Sequence, residues 1–311
     1  MIKLNFFSPL LLLSACALTG QTDAQRNDFL LQQVAPGVHV HQGLIAETSA
    51  AYQGDIANIG FIVGKKCVAV IDSGGSLAVG QQLRASITRV TQLPVCYVIN
   101  THVHPDHIFG NAAFNADKPV FVGHAKLPLA MATRGQNYLN AIKRDLGAEA
   151  DGSVIVPPTQ TLKDTLELDL GERKLSLRAW RTAHTDNDVS VLDETTGTLW
   201  LSDLLFIEHT PVVDGNLKGW LAVMDELRGI KANTVIPGHG PIQKNWPAAA
   251  QNQQRYLESL LTETRQSIKN RKTIQQAVES VGISEKDKWQ LFDLFHRRNV
   301  TTAFAELEWE D

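Results

Sequence analysis

The sequence predicts an α/β domain whose sheets carry helices on both faces. Three observations lead there. Short runs rich in Val and Ile recur between turn residues, helix-length stretches separate some of them, and everything after Pro247 reads as helix. With 311 residues, 43% hydrophobic, the chain has enough apolar material for one large domain. The formal charge of −4 offers no basic surplus to neutralise phosphates, so no nucleic-acid partner is expected.

The chain opens with MIKLNFFSPLLLLSACALTG: a lysine, an apolar run, then small residues. Residues 1–24 read as an export signal with a polar tether, too short to span a bilayer. Leu13-Ser14-Ala15-Cys16 resembles the lipobox of bacterial lipoproteins, in which the cysteine is lipidated. Cleavage at Ala15-Cys16-Ala17 is the alternative and gives a soluble periplasmic protein. The expectation is a periplasmic chain held to the outer membrane by lipid on Cys16, touching the membrane only there. Residues 25–311 form the domain.

Strands are predicted at GVHVHQG, IGFIVG, CVAVIDSG, CYVINTH and PVFVGH, with a crossover helix over 79–90. Residues 126–147 read as helix and loop. TLELDL, KLSLRAWRT and TVIPGHG add strands, and VSVLD and TLWLSD form a hairpin through Glu194–Gly197. The terminal helices are AAAQNQQRYLESLLTETRQSIKN, TIQQAVESVG, DKWQLFDLFHRR and TTAFAELEWE. Cys67 and Cys96 begin neighbouring strands, as a disulfide of an oxidising compartment or as two buried thiols.

One stretch carries chemistry. NTHVHPDH places His102, His104, Asp106 and His107 within six positions, in a chain with ten histidines. THVHP continues the strand PVCYVIN, so His102 and His104 share one side of it, and Pro105 ends it. Asp106 and His107 then sit at the mouth of a short helix, IFGNAAF. Imidazoles with a carboxylate suit zinc and similar divalent metals. His184, Asp203 and the glycine-flanked His239 each follow or end a strand, at the sheet edge where ligands of α/β domains gather.

HVHPDH followed by His184, Asp203 and His239, with the earlier VIDSG containing Asp72, resembles the metallo-β-lactamase superfamily over residues 34–245. The resemblance implies a four-layer αβ/βα sandwich with a dinuclear centre of two Zn2+, or of other divalent metals such as Fe or Mn. It assigns His102, His104 and His184 to one metal, Asp106, His107 and His239 to the second, and Asp203 to both. Asp106 also orients the attacking water, which two metals ionise at about pH 7. The common broad-spectrum β-lactamases carry a cysteine where Asp203 stands. An aspartate there resembles glyoxalase II-like thioesterases and lactonases. The flanking GDIANIGFIVG, AHTDNDVSVLD, VDGNLKGWL and VIPGHGP resemble periplasmic SoxH-like hydrolases and the quinoprotein relay system zinc metallohydrolases.

The leading expectation is an exported hydrolase of a thioester, ester or lactone on a small-molecule or carrier-bound substrate. A β-lactamase and a non-hydrolytic metal-binding protein serving periplasmic redox proteins are the alternatives. Asp72 and His124 are candidates to support the ligands from behind, and Lys218 and Trp220 to line the substrate pocket. His39 and His41 read as strand residues, His209, His296, Arg297 and Arg298 as solvated, and the last helices as packing.

Overall fold

Twelve strands pair into two sheets in the computed structural model, which describes residues 1–2 and 29–310. The lipobox with Cys16 and most of the predicted signal and tether lie outside the described residues.

The first sheet runs in chain order: β1 (Leu31–Ala35), β2 (Val38–His41), β3 (Ile59–Val63), β4 (Val68–Ile71), β5 (Val95–Ile99), β6 (Val120–His124) and β7 (Gln160–Leu162). It is antiparallel up to β4 and parallel from there on. The second is ordered β12 (Thr234–His239), β11 (Thr198–Phe206), β10 (Val189–Asp193), β9 (Lys174–Ala179) and β8 (Thr165–Asp169). The helices are α1 (Leu77–Val90), α2 (Pro105–Ile108), α3 (Leu127–Leu146), α4 (Leu217–Arg228), α5 (Gln251–Lys269), α6 (Ile274–Val278) and α7 (Phe292–Leu307).

Alternation along the strands builds the layers. Ala69, Ile71, Ile62 and Ile99 of the first sheet pack against Leu175, Leu177, Val191 and Trp200 of the second. On the first sheet's other face, Phe61, Val68, Val70 and Val98 meet Val79, Leu83 and Ile87 of α1. Leu199, Leu201 and Val235 likewise face Trp220 and Met224 of α4 and Leu257 and Val300 of α5 and α7. The result is the expected αβ/βα sandwich. The sheets approach closely at Gly60, since a Cβ there would lie 2.8 Å from the Trp200 ring.

A buried ion pair of the second sheet reaches across the same layer through one further bond. Arg173 donates to Asp193 through Nε (3.0 Å) and Nη2 (2.6 Å), and its Nη1 reaches Val63 O on the other sheet at 2.9 Å. Cys67, just before β4, and Cys96 in β5 are joined as a disulfide with Cα atoms 5.7 Å apart, which decides between the two readings of these residues.

The structure corrects three boundaries. β5 stops at Ile99, because the Thr101 amide donates to Asp72 Oδ1 at 2.8 Å instead of to a strand. His102 therefore sits in a bend beyond the strand, and His104 caps the short helix that follows. The short helix begins at Pro105, carries Asp106 and His107 itself, and is followed by a 3-10 segment over Asn111–Asp117. Finally, no glycine or proline interrupts 292–307, so the last two predicted helices merge into α7. The short, largely polar edge strands β1 and β7 carried too little apolar periodicity to be predicted.

Candidate metal centre

Beyond β5 and β9, within β11 and at the end of β12, the chain brings seven side chains into two adjoining groups. His102, His104, His184 and Asp203 form one, and Asp106, His107 and His239 the other. In the first, His104 Nδ1 lies 3.1 Å from His102 Nε2 and 2.9 Å from His184 Nε2. Asp203 Oδ2 stands 3.3 Å from His184 Nε2 and 3.7 Å from His102 Nε2. In the second, Asp106 Oδ2 is 3.4 Å from His107 Nε2 and 3.3 Å from His239 Nε2. Asp203 turns its other oxygen, Oδ1, to this group, 3.1 Å from His107 and 3.4 Å from His239. One carboxylate thus faces both groups.

These spacings fit a cation. Donors about 3.3 Å apart form the edges of a tetrahedron whose centre-to-ligand bonds are about 2.0 Å. The outward nitrogens show which lone pairs point inward. His184 Nδ1 donates to Val212 O (2.7 Å), His239 Nδ1 to Ile56 O (2.9 Å), His107 Nδ1 to Asp72 (2.9 Å) and His104 Nε2 to Asp214 (3.1 Å). With those protons outside, the inward nitrogens are acceptors facing acceptors. His107 Nε2 and Asp203 Oδ1 are buried with no hydrogen-bond partner, the demand a divalent metal would meet.

Electrostatics point the same way. Burial, with the neighbouring histidines, pushes His102 well below the usual imidazole range, and burial drives His184 down to about 3, so both are neutral at pH 7. Burial also opposes charge on His107 and His239. There Asp203 and Asp106 prevail, lifting His107 well above its usual value and His239 to about 9. The carboxylates therefore call for positive charge, from protons or from a metal.

The backbone is bent to make this set. Ser202 and Asp72 take left-handed φ values of 49° and 54°, costly for residues with side chains. Ser202 lies where the β11–β12 register shifts, and the next residue is Asp203. A Cβ on Gly238 would stand 1.8 Å from Asp203 Oδ1, so only glycine lets the His239 loop pass. Asp72 is fully buried and accepts from the Thr101 amide and hydroxyl, Ser202 Oγ and His107 Nδ1. It thereby aims the ligand loop.

Other expected residues lie elsewhere. His124 accepts the Lys126 amide at 2.9 Å and bonds none of the seven. The Lys218 ammonium is paired with Glu310 and bonds none of the seven. Trp220 is fully buried, edge-on to the His184 ring at 5.4 Å, and packs behind the centre instead. His209 is not solvated: its ring lies 4.8 Å from that of His239 and 5.1 Å from Phe295. His296 is buried between Tyr256 and Val281, and Arg298 reaches Asp214; Arg297 is exposed as expected. His39 stacks on Phe61, and His41 bonds Asp55. Sequence reasoning missed Asp214 and Asn58. Asn58 ties the first half to the His239 loop by donating to Pro237 O and Gly240 O.

A family model described as the metallo-beta-lactamase superfamily matches residues 52–239. The sequence is 23% identical to a linear primary-alkylsulfatase of Pseudomonas sp. (strain ATCC 19151) over 207 residues, 55% of this chain and 39% of that relative's length. Among solved structures, a metallo-beta-lactamase from Pontibacter korlensis superposes with TM-score 0.60 at 19% identity, over 74% of this chain and 99% of its own. The inverting sec-alkylsulfatase Pisa1 from Pseudomonas sp. gives 0.68 at 15% identity, over 90% of this chain and 50% of its own.

Proposed function

The chain belongs to the metallo-β-lactamase superfamily and is a metal-dependent hydrolase; from that premise we propose that it is an exported dinuclear zinc enzyme cleaving a thioester, ester or lactone. The observation that carries the dinuclear reading is Asp203, whose two oxygens face different groups and whose Oδ1 lacks any other partner. Zinc suits a set of imidazoles and carboxylates, and Fe or Mn would suit it as well. When bound, such cations supply a Lewis acid and lower the pKa of water toward neutrality.

The chain's own residues do the rest. His104 and Asp106 are the most exposed of the seven side chains, at 15% and 16%, so substrate and water approach across them. Asp106 is held well below the usual carboxylate range by His107 and His239 against its burial, and as an anion it accepts a hydrogen bond from the attacking water. Buried, fixed dipoles around the seven need little reorganisation as charge develops.

Purified protein with measured metal content, assayed against a substrate panel, tests this reading. Chelation should abolish turnover of the best thioester, ester or lactone, and zinc should restore it. A penicillin with a higher kcat/KM than all of these would replace the reading with that of a β-lactamase. Alkyl sulfates belong in the panel as a second reading, because the sec-alkylsulfatase match runs over 90% of this chain against 74% for the β-lactamase. Alkyl sulfates as the best substrates would establish it.

The Cys67–Cys96 disulfide supports export, since such bonds persist in oxidising compartments. We place the chain in the periplasm, lipid-anchored through Cys16, where its partners are its substrate and periplasmic redox proteins. Cell fractionation should find it with the membranes and find Cys16→Ser released from them. Wild type wholly in the soluble periplasmic fraction would exclude the anchor.

A further inference from the structure

The segment 209–218 orients one of the two ligand groups. Val212 O accepts from His184 Nδ1, Asp214 Oδ2 accepts from His104 Nε2, and the Asp214 amide donates to His184 O at 3.2 Å. The other group takes its orientation elsewhere, His107 from Asp72 and His239 from Ile56.

Helix α7 holds this segment. Asn299, fully buried, accepts the Val213 amide at 2.9 Å and donates to Pro211 O at 2.6 Å. Arg298 donates to Asp214 Oδ1, and Glu306 accepts the amides of Leu217 (2.6 Å) and Lys218 (3.1 Å). From α3, Arg134 meets Asp214 Oδ2 at 2.5 Å, so two guanidiniums grip one carboxylate. Burial alone would raise the Asp214 pKa. The bond from His104, with Arg134 and Arg298, instead holds it well below the usual range.

We propose that Arg298 and Asn299 are positioning residues through which α7 sets the metal affinity of the His102–His104–His184 group and not that of its neighbour. The proposal rests on the metal reading above. A carboxylate on Nε2–H keeps that proton in place, aims the Nδ1 lone pair inward and makes it more basic. A guanidinium that immobilises the carboxylate removes part of the ordering cost of binding. Arg134 remains when Arg298 is lost, so the effect is partial.

Arg298 is 56% exposed, and Arg298→Met keeps its stem without opening the core. The test is Co2+ titration of the full chain in competition with a chromophoric chelator. Arg298→Met should weaken one of two equivalents about tenfold, the lower end of such outer-contact effects, and leave the other unchanged. Arg298→Lys should recover most of the loss, and the exposed neighbour variant Arg297→Met should match wild type. A metal-free readout accompanies it: in 15N-histidine-labelled apoprotein, His104 should be the single Nε2–H tautomer in wild type and a mixture in Arg298→Met. Folded Arg298→Met that binds both equivalents normally, or loses both equally, overturns the proposal alone. A wild type that binds no Co2+ overturns the metal reading and the proposal with it.

Discussion

Asp203→Ala is expected to lower bound metal from about two ions per chain to about one or fewer, and kcat/KM by at least about a thousandfold. The loss corresponds to about 4 kcal/mol of transition-state stabilisation. Both oxygens of Asp203 face nitrogens at 3.1–3.7 Å, two in each group, so the substitution removes a donor from each. The histidines stay in place, because their outward bonds to Val212, Ile56, Asp72 and Asp214 do not involve Asp203. Elemental analysis with kinetics measures both effects, and full double occupancy with full activity would remove Asp203 from the ligand set. In wild type, apparent metal affinity should fall as pH drops below about 9, where His239 takes up the proton that competes with the metal.

Asp193→Ala should cost about 3–5 kcal/mol in metal-free denaturant unfolding, with little effect on metal content once folded. Asp193 is fully buried, and its removal strands the Arg173 guanidinium in the layer between the sheets. A charge left there without a partner is the expensive case. A loss below about 1 kcal/mol would mean that Arg173 finds water or another acceptor.

What the sequence revealed about this site follows from where the information resides. The HVHPDH cluster and the histidines at strand ends are side chains with a local signature, and the structure brings all seven together. Two of their four outer acceptors are backbone carbonyls, Val212 O and Ile56 O, which no residue type announces. Asp214 looks like any acidic loop residue until α3 and α7 deliver Arg134 and Arg298 to it. The partner of Lys218 was hidden for a related reason. Asn216 caps α4 by accepting the Gly219 amide, and the second residue of that helix pairs with Glu310. The layers were more legible, because β3, β4 and much of β11 are near-continuous apolar runs, the mark of strands buried on both faces.

The seven side chains come from both halves of the sandwich: His102 to His107 follow a strand of one sheet, and His184, Asp203 and His239 belong to the other. A metal held among them staples the two halves together and binds only when they are docked. Free metal concentration then becomes a state variable of folding, adding about 1.4 kcal/mol for each decade above the dissociation constant. A melting temperature taken in a chelating buffer and one taken in a metal buffer describe different equilibria of the same chain.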